Sequence, residues 1–164
     1  MAITVEPKLK VRSMIPVFEL TSADGRRVAI WNYKSRRNIV LVFLPVPICR
    51  ACIDFLQSAG KTCHQYEEED AVLLAIVQGD VDSATALREK LEPPFPILFD
   101  PAGQVTARYT TEVPAVFVAD RFGELYAQWI VGPEGTFPSQ KKILDVVELI
   151  NLECPECGAP VEWG

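Results

Sequence analysis

Hydrophobic and polar positions divide the chain into alternating strand-like and helix-like segments. Residues 38–44 (NIVLVFL) and 71–77 (AVLLAIV) are almost wholly apolar, which is typical of parallel strands covered on both faces. Between them, residues 49–68 predict one helix, which Gly60 weakens near its middle. Its apolar positions recur at helical spacing and are Cys52, Phe55, Leu56 and Ala59.

Two hairpins and three further helices account for most of the remaining chain. Pro16–Ile30 predicts an N-terminal β-hairpin that turns at 23–25. Strands at 114–119 and 124–130 predict a second hairpin, joined by Asp120-Arg121-Phe122-Gly123. A short strand is expected at 97–99, after the proline-rich residues 93–96. The remaining helices are expected at 83–91 (with Asp82 as its N-cap), 102–108 and 139–152.

This order of elements predicts an α/β fold with a mixed central sheet, because helices between apolar strands imply parallel crossovers and the late hairpin adds antiparallel strands. Helices are expected on both faces of the sheet. Residues 1–13 are predicted to be a flexible lead, 14–152 the folded domain and 153–164 a C-terminal tail.

Charge and cysteine content narrow the function classes. The net charge is −6 and the chain has no basic stripe, which argues against a nucleic-acid partner. The sequence contains no run of about 20 apolar residues, so no membrane span is predicted. Residues 1–12 also lack the apolar core of a signal peptide. We therefore expect a cytoplasmic protein, in which five cysteines indicate redox or metal chemistry.

The strongest candidate for that chemistry is Cys49-Arg50-Ala51-Cys52, which follows strand 38–44 directly and begins the next helix. The positive end of a helix dipole favours a thiolate, and Arg50 adds a nearby positive charge. A thiol with a pKa of about 8.5 is only about 3% ionised at pH 7, so such stabilisation strongly affects reactivity. Residues three apart share a helix face, which allows the two sulfurs to meet.

Three further motifs resemble the peroxiredoxin branch of the thioredoxin-fold proteins, the alkyl hydroperoxide reductase and thiol-specific antioxidant group. The opening motif of this family is resembled by Pro16-Val17-Phe18-Glu19-Leu20. The end of the strand that precedes the family's active site is resembled by Phe43-Leu44-Pro45. Ala115-Val116-Phe117-Val118-Ala119-Asp120, with Gly123, resembles its late strand and turn. The resemblance covers residues 14–151 and implies a thioredoxin-like fold.

The resemblance implies two alternative active sites. Peroxiredoxins carry the pattern Pro-x-x-x-Thr-x-x-Cys, in which the last residue is the peroxidatic cysteine. Pro45 and Cys52 match the ends of this pattern, so the resemblance implies that Cys52 is peroxidatic. Cys49 stands where the pattern has threonine and would be the resolving cysteine. Peroxiredoxins also use an arginine near the start of the late strand, and this chain has Pro114 at that position. Thioredoxin-like oxidoreductases instead imply Cys49 as nucleophile, Cys52 as resolving cysteine and a cis bond before Pro114.

The favoured interpretation is a thiol–disulfide oxidoreductase that needs only its redox-active disulfide and takes a protein disulfide or a thiol reductant as partner. Strand 38–44 contains no acid, so Glu112 is the candidate proton acceptor. The second interpretation is a thiol peroxidase acting on hydroperoxides. The third is a non-catalytic, redox-responsive or zinc-linked interaction module, for which Trp129 and Trp163 are candidate contact residues.

The tail carries a second pair in Cys154-Pro155-Glu156-Cys157-Gly158, which has the form of half a zinc site. Four roles are open: a zinc shared across a homodimer, a zinc completed by Cys63 and His64, a second redox pair that exchanges electrons with Cys49 and Cys52, or no role. A tail of twelve residues spans up to about 40 Å, which leaves the exchange open. Cys63 and His64 are otherwise expected to be helix residues without a role.

Overall fold

A mixed sheet of seven strands forms the centre of the computed structural model, which describes residues 6–153. The strands are β1 (Glu19–Ser22), β2 (Arg27–Ala29), β3 (Asn38–Leu44), β4 (Ala71–Val77), β5 (Ile97–Phe99), β6 (Ala115–Ala119) and β7 (Leu125–Ile130). They lie in the order β2-β1-β5-β4-β3-β6-β7. Strands β3, β4 and β5 are mutually parallel and the other neighbours are antiparallel. The predicted fold class, including the N-terminal hairpin, is confirmed.

Five α-helices and one short 3₁₀ helix complete the described part of the chain. The helices are α1 (Arg50–Lys61), α2 (Cys63–Glu68), α3 (Val81–Leu91), α4 (Gln104–Tyr109) and α5 (Gln140–Leu152), and the 3₁₀ helix is Ile30–Tyr33. None of these described helices has the length and apolar character that crossing a membrane requires.

The prediction of one helix over 49–68 is wrong, because the chain breaks at Thr62 between α1 and α2. The Thr62 hydroxyl donates to the carbonyl oxygens of Ser58 (2.9 Å) and Ala59 (3.2 Å), which satisfies the end of α1 locally. Gly60, the expected weak point, lies within α1.

The predicted N-cap of α3 is also wrong by two residues. Asp80, not Asp82, has extended backbone angles, and its Oδ1 accepts a hydrogen bond from the Ser83 amide at 3.0 Å. Asp82 lies in the first turn of the helix. Both residues are acidic, so the sequence pattern alone does not separate the cap from the first turn.

Strand β3 is buried along its whole length and separates two apolar cores. Val40, Val42 and Leu44 face the core that is covered by α1, α2, α3 and α5. Ile39, Leu41 and Phe43 face the second core, which is covered by α4 and the N-terminal segment. The period-2 alternation of a strand thus places apolar residues on both faces, and this burial anchors the strand that leads, through residues 45–48, to the dithiol.

A dithiol at the end of the central strand

Cys49 is the N-cap of α1, five residues beyond the end of β3. Its backbone is extended (φ −80°, ψ 161°), and its Sγ accepts a hydrogen bond from the amide of Cys52 at 3.2 Å. The sulfur therefore occupies the place where a serine or aspartate side chain usually caps a helix. The amide and the positive end of the helix dipole would both stabilise negative charge on this sulfur.

Cys52 lies beneath Cys49 and is fully buried, with 0% of its surface exposed. It belongs to the core of α1 and β3, whereas Cys49 is half-buried and only packs against that core. The two sulfurs form a disulfide, with Cα atoms 5.2 Å apart. The pair thus consists of one partly exposed cysteine and one fully buried cysteine, joined across the first turn of α1.

The Val113–Pro114 peptide bond is cis, as the resemblance to thioredoxin-like proteins predicts. Ala115 pairs with Phe43 on β3, so the register puts Pro114 at the same end of the sheet as the dithiol. The Pro114 carbonyl accepts hydrogen bonds from the amides of Val131 (2.9 Å) and Gly132 (3.0 Å). Buried Pro114 is therefore held by the loop that follows β7.

A second cis bond, Val46–Pro47, lies between β3 and the dithiol and was not predicted. Pro45 is partly buried at the start of this loop, and Val46 is 46% exposed. The Val46 side chain lies against Gly79, where a Cβ would approach it to 2.6 Å. The absence of a side chain at Gly79 therefore lets the loop after β4 approach the loop before the dithiol.

Arg50 and Glu112, the two charged residues predicted to assist the dithiol, differ in their exposure to solvent. Arg50 is exposed (89% of its side chain) and forms an ion pair with Asp54 at 3.3 Å. Glu112 is half-buried, and its Oε2 lies 2.9 Å from the place of a Cβ on Gly132. Glu112 is thus held near the residues that support Pro114, and its role in proton transfer stays a prediction.

A groove of about 360 Å³ runs along α1 from Ala51 to Ser58 and was not foreseen from the sequence. One wall is formed by α1 residues, and the other by the loop that precedes α5. The lining residues are Ala51, Asp54, Phe55, Ser58 and residues 135–140. The Phe55 and Phe137 rings stack with centroids 4.4 Å apart and fix the two walls together.

The other cysteines are separate from this site. Cys63 begins α2 and is half-buried; burial, together with the charge of Glu67, raises the pKa of its thiol. The part of α1 from Cys52 to Lys61 alone spans about 14 Å, so Cys63 is far from Cys52. His64 is exposed, and Trp129 packs against the core. Cys154, Cys157 and Trp163 lie outside the described residues.

A thioredoxin fold with an accessible and a buried cysteine at a helix start defines a thiol oxidoreductase. Residues 11–136 match the AhpC/TSA family, which is most of the chain. The chain therefore belongs to the AhpC/TSA family, and this confirms the predicted resemblance and the oxidoreductase class.

Individual relatives lie on both branches of this class. The chain is 27% identical to alkyl hydroperoxide reductase E of Mycobacterium tuberculosis over 103 residues, which is 62% of this chain and 67% of that protein. The fold is similar to peroxidoxin BcpB of M. tuberculosis, with a TM-score of 0.75, 18% identity and coverage of 87% and 98% of the two chains. It is also similar to a secreted M. tuberculosis disulfide oxidoreductase homologous to DsbE, with a TM-score of 0.66, 21% identity and coverage of 80% and 95%. At these identities the two structures establish the fold alone.

Proposed function

We propose that the chain is a thiol–disulfide oxidoreductase in which Cys49 attacks the partner and Cys52 resolves the complex. The supporting observation is the asymmetry of the pair: Cys49 is the accessible N-cap of α1, whereas Cys52 is fully buried beneath it. A partner sulfur can approach Cys49 from outside, but it cannot approach Cys52 without opening the core.

The reaction proceeds in two exchanges. The Cys49 thiolate attacks one sulfur of the partner disulfide, forms a mixed disulfide and releases the second partner sulfur as a thiolate. Cys52 then loses its proton and attacks the Cys49 sulfur, which releases the first partner sulfur and closes the Cys49–Cys52 disulfide. The partner gains two electrons and the dithiol loses two, and an external thiol reductant returns them. We assign the proton of Cys52 to Glu112 as part of this proposal.

Hydroperoxide reduction is the second candidate, supported by membership of the AhpC/TSA family. It requires peroxide to reach Cys52, which is 0% exposed. It also requires positive charge beside the peroxide, because that charge stabilises the transition state. Three arginines that could supply this charge bond to other groups: Arg50 to Asp54, Arg108 to the Val17 carbonyl and Arg121 to Asn151. These contacts favour the dithiol mechanism.

Parallel assays of insulin-disulfide reduction and hydrogen peroxide consumption distinguish the two candidates. We expect insulin reduction with a thiol donor, its loss in both Cys49→Ser and Cys52→Ser, and a stable mixed disulfide only in Cys52→Ser. Cys63→Ser is the matched control and should retain full activity. Catalytic peroxide consumption that depends on Cys52, without insulin reduction, would establish the peroxidase instead.

A further inference from the structure

Two exposed valines lie close together at the dithiol end of the sheet. Val46 follows β3 and is 46% exposed, and Val81 begins α3 and is 45% exposed. Neither is needed to hold its element in place, because β3 is buried along all seven of its residues and α3 is anchored by Ala84 and Leu87. The two valines therefore leave an apolar surface beside the segment that carries the dithiol.

Gly79 brings the loops after β3 and β4 together. The Gln78 amide donates to the Leu44 carbonyl at 2.9 Å, so the two strands end level with each other. A Cβ on Gly79 would lie 2.6 Å from Val46 Cγ2 and 3.4 Å from the Ser83 side chain. Because Gly79 does not adopt a positive φ, space and not backbone freedom favours glycine here. The contact places Val46 beside the start of α3.

This apolar surface is within reach of a partner bound to Cys49. Val46 precedes Cys49 by three residues, which span at most about 11 Å. Through the contact between Val46 and Gly79, the Cα of Asp80 is then at most roughly 21 Å from that of Cys49. An extended partner segment covers that distance with about six or seven residues.

Two acidic side chains flank the second valine. Asp80 and Asp82 lie on either side of Val81 in the sequence, and both are exposed. Hydrogen bonds from the amide and the hydroxyl of Ser83 lower the pKa of Asp80, so its carboxyl group is ionised at neutral pH. Within residues 6–153, neither Asp80 nor Asp82 forms an ion pair, so both charges are available to a partner.

The other segments at this end of the sheet are also acidic. The segments that meet here are residues 45–50, 78–82, 100–104, 110–114 and 131–136. Besides Asp80 and Asp82, their acidic residues are Asp100, Glu112 and Glu134. Arg50, the one cation in these described segments, forms an ion pair with Asp54 at 3.3 Å. A partner that approaches the dithiol therefore meets net negative charge.

We propose that Val46, Val81, Asp80 and Asp82 form a docking surface for a basic partner, a protein segment with lysine or arginine within about six or seven residues of its disulfide cysteine. This inference rests on the proposed attack by Cys49. The apolar stems of lysine or arginine pack on the valines, and their cationic ends pair with the two carboxylates. Opposite charge also raises the rate of encounter and disfavours acidic partners.

Three disulfide-linked peptide dimers test the charge of the partner. They are identical except at two positions near the cysteine, which hold lysine, glutamine or glutamate. Reduction by the full chain with dithiothreitol as donor gives kcat/KM for each peptide, which is divided by the rate with dithiothreitol alone. At low ionic strength we expect the lysine peptide to exceed the glutamine peptide by about tenfold and the glutamate peptide to be the slowest. Added salt should reduce this preference, because it screens exposed charges.

Charge variants assign the preference to this surface. Asp80→Asn/Asp82→Asn keeps a good N-cap for α3 and should lose most of the preference for lysine. Glu67→Gln/Glu68→Gln is the matched control and should retain the preference. It also removes two exposed acids, but from α2, which ends beside the start of β3, at the opposite end of the sheet.

A valine variant tests the apolar part of the surface. Val46→Ser/Val81→Ser should lower kcat/KM for all three peptides by about threefold or more, because apolar contact is lost. An unchanged kcat/KM in this variant would overturn the role of the valines.

The neutral peptide separates this inference from the proposed function. Equal kcat/KM for the three peptides, or a lysine preference that persists in Asp80→Asn/Asp82→Asn, would overturn the docking surface and leave the thiol–disulfide activity standing. Failure to reduce any of the three, the glutamine peptide included, would overturn the proposed function and this inference with it.

Discussion

Cys49 combines two roles at the residue scale, because its sulfur is both the accessible member of the dithiol and the cap of α1. Serine is a good N-cap and alanine is a poor one. We therefore expect Cys49→Ser and Cys49→Ala to lose disulfide-reducing activity equally, but Cys49→Ala to be less stable by about 1 kcal/mol. Chemical denaturation of both variants under reducing conditions checks this. Equal stabilities would show that the hydrogen bond from the Cys52 amide contributes nothing to the helix.

Asp120 gives a second prediction at this scale. Its Oδ1 accepts hydrogen bonds from the amides of Phe122 and Glu124, both at 2.9 Å, and burial raises the pKa of its carboxyl group. Because the folded-state pKa is raised, the stabilising contribution is present below the ordinary value of 3.8 and is lost as the pH rises through the folded-state pKa. Asp120→Asn keeps an acceptor without the charge.

We therefore expect the stability of Asp120→Asn, relative to the parent chain, to increase as the pH rises from about 4 to 7. Asp120→Ala loses both hydrogen bonds and should be less stable by about 1–3 kcal/mol near pH 4, and this difference should narrow as the pH rises because alanine does not titrate. Urea denaturation across this pH range measures both effects. Two charged residues, Glu124 and Arg12, also face the Asp120 carboxyl group. A difference in unfolding free energy between Asp120→Asn and the parent chain that stays constant with pH would contradict this prediction.

At the scale of elements, the stacked Phe55 and Phe137 rings join α1 to the loop before α5 and so hold the two walls of the groove together. Phe137 is half-buried and stacks on Phe55, so it attaches the loop before α5 to α1. Phe137→Ala should lower the free energy of unfolding by about 1–3 kcal/mol, less than for a fully buried phenylalanine. Phe137→Leu keeps apolar bulk and should lose less than half of that. Thermal and urea denaturation give the comparison, and equal losses in the two variants would indicate that ring stacking, not apolar volume, holds the loop.

Elements with a strong apolar pattern could be predicted from the sequence, and those that depend on tertiary contacts could not. The apolar run at 38–44 gave β3 with its observed bounds, because full burial leaves an unmistakable pattern. The break at Thr62 escaped prediction, since it rests on a hydroxyl that bonds to Ser58 and to Gln140. The groove escaped for the same reason: residues 135–140 have no periodicity that indicates their position against α1.

For the molecule as a whole, the dithiol joins two residues that are already adjacent on α1. A disulfide that closes so short a loop removes little entropy from the unfolded chain, about 2 kcal/mol at most. The buried cores on both faces of the sheet are independent of it. Reduction should therefore leave the circular dichroism spectrum unchanged and lower the unfolding free energy by no more than that amount. Unfolding on reduction would show that the disulfide is structural instead of catalytic.

The central claim is that Cys49 is the accessible, readily ionised sulfur and that Cys52 is not. Alkylation of the fully reduced chain with a trace of iodoacetamide, followed by peptide mass spectrometry at a series of pH values, tests it directly. The account predicts that Cys49 is labelled first, with a rate that is already near its maximum at pH 7, and that Cys52 and Cys63 are labelled slowly. Labelling of Cys52 before Cys49, or a Cys49 rate that rises only near the ordinary thiol pKa of about 8.5, would contradict it.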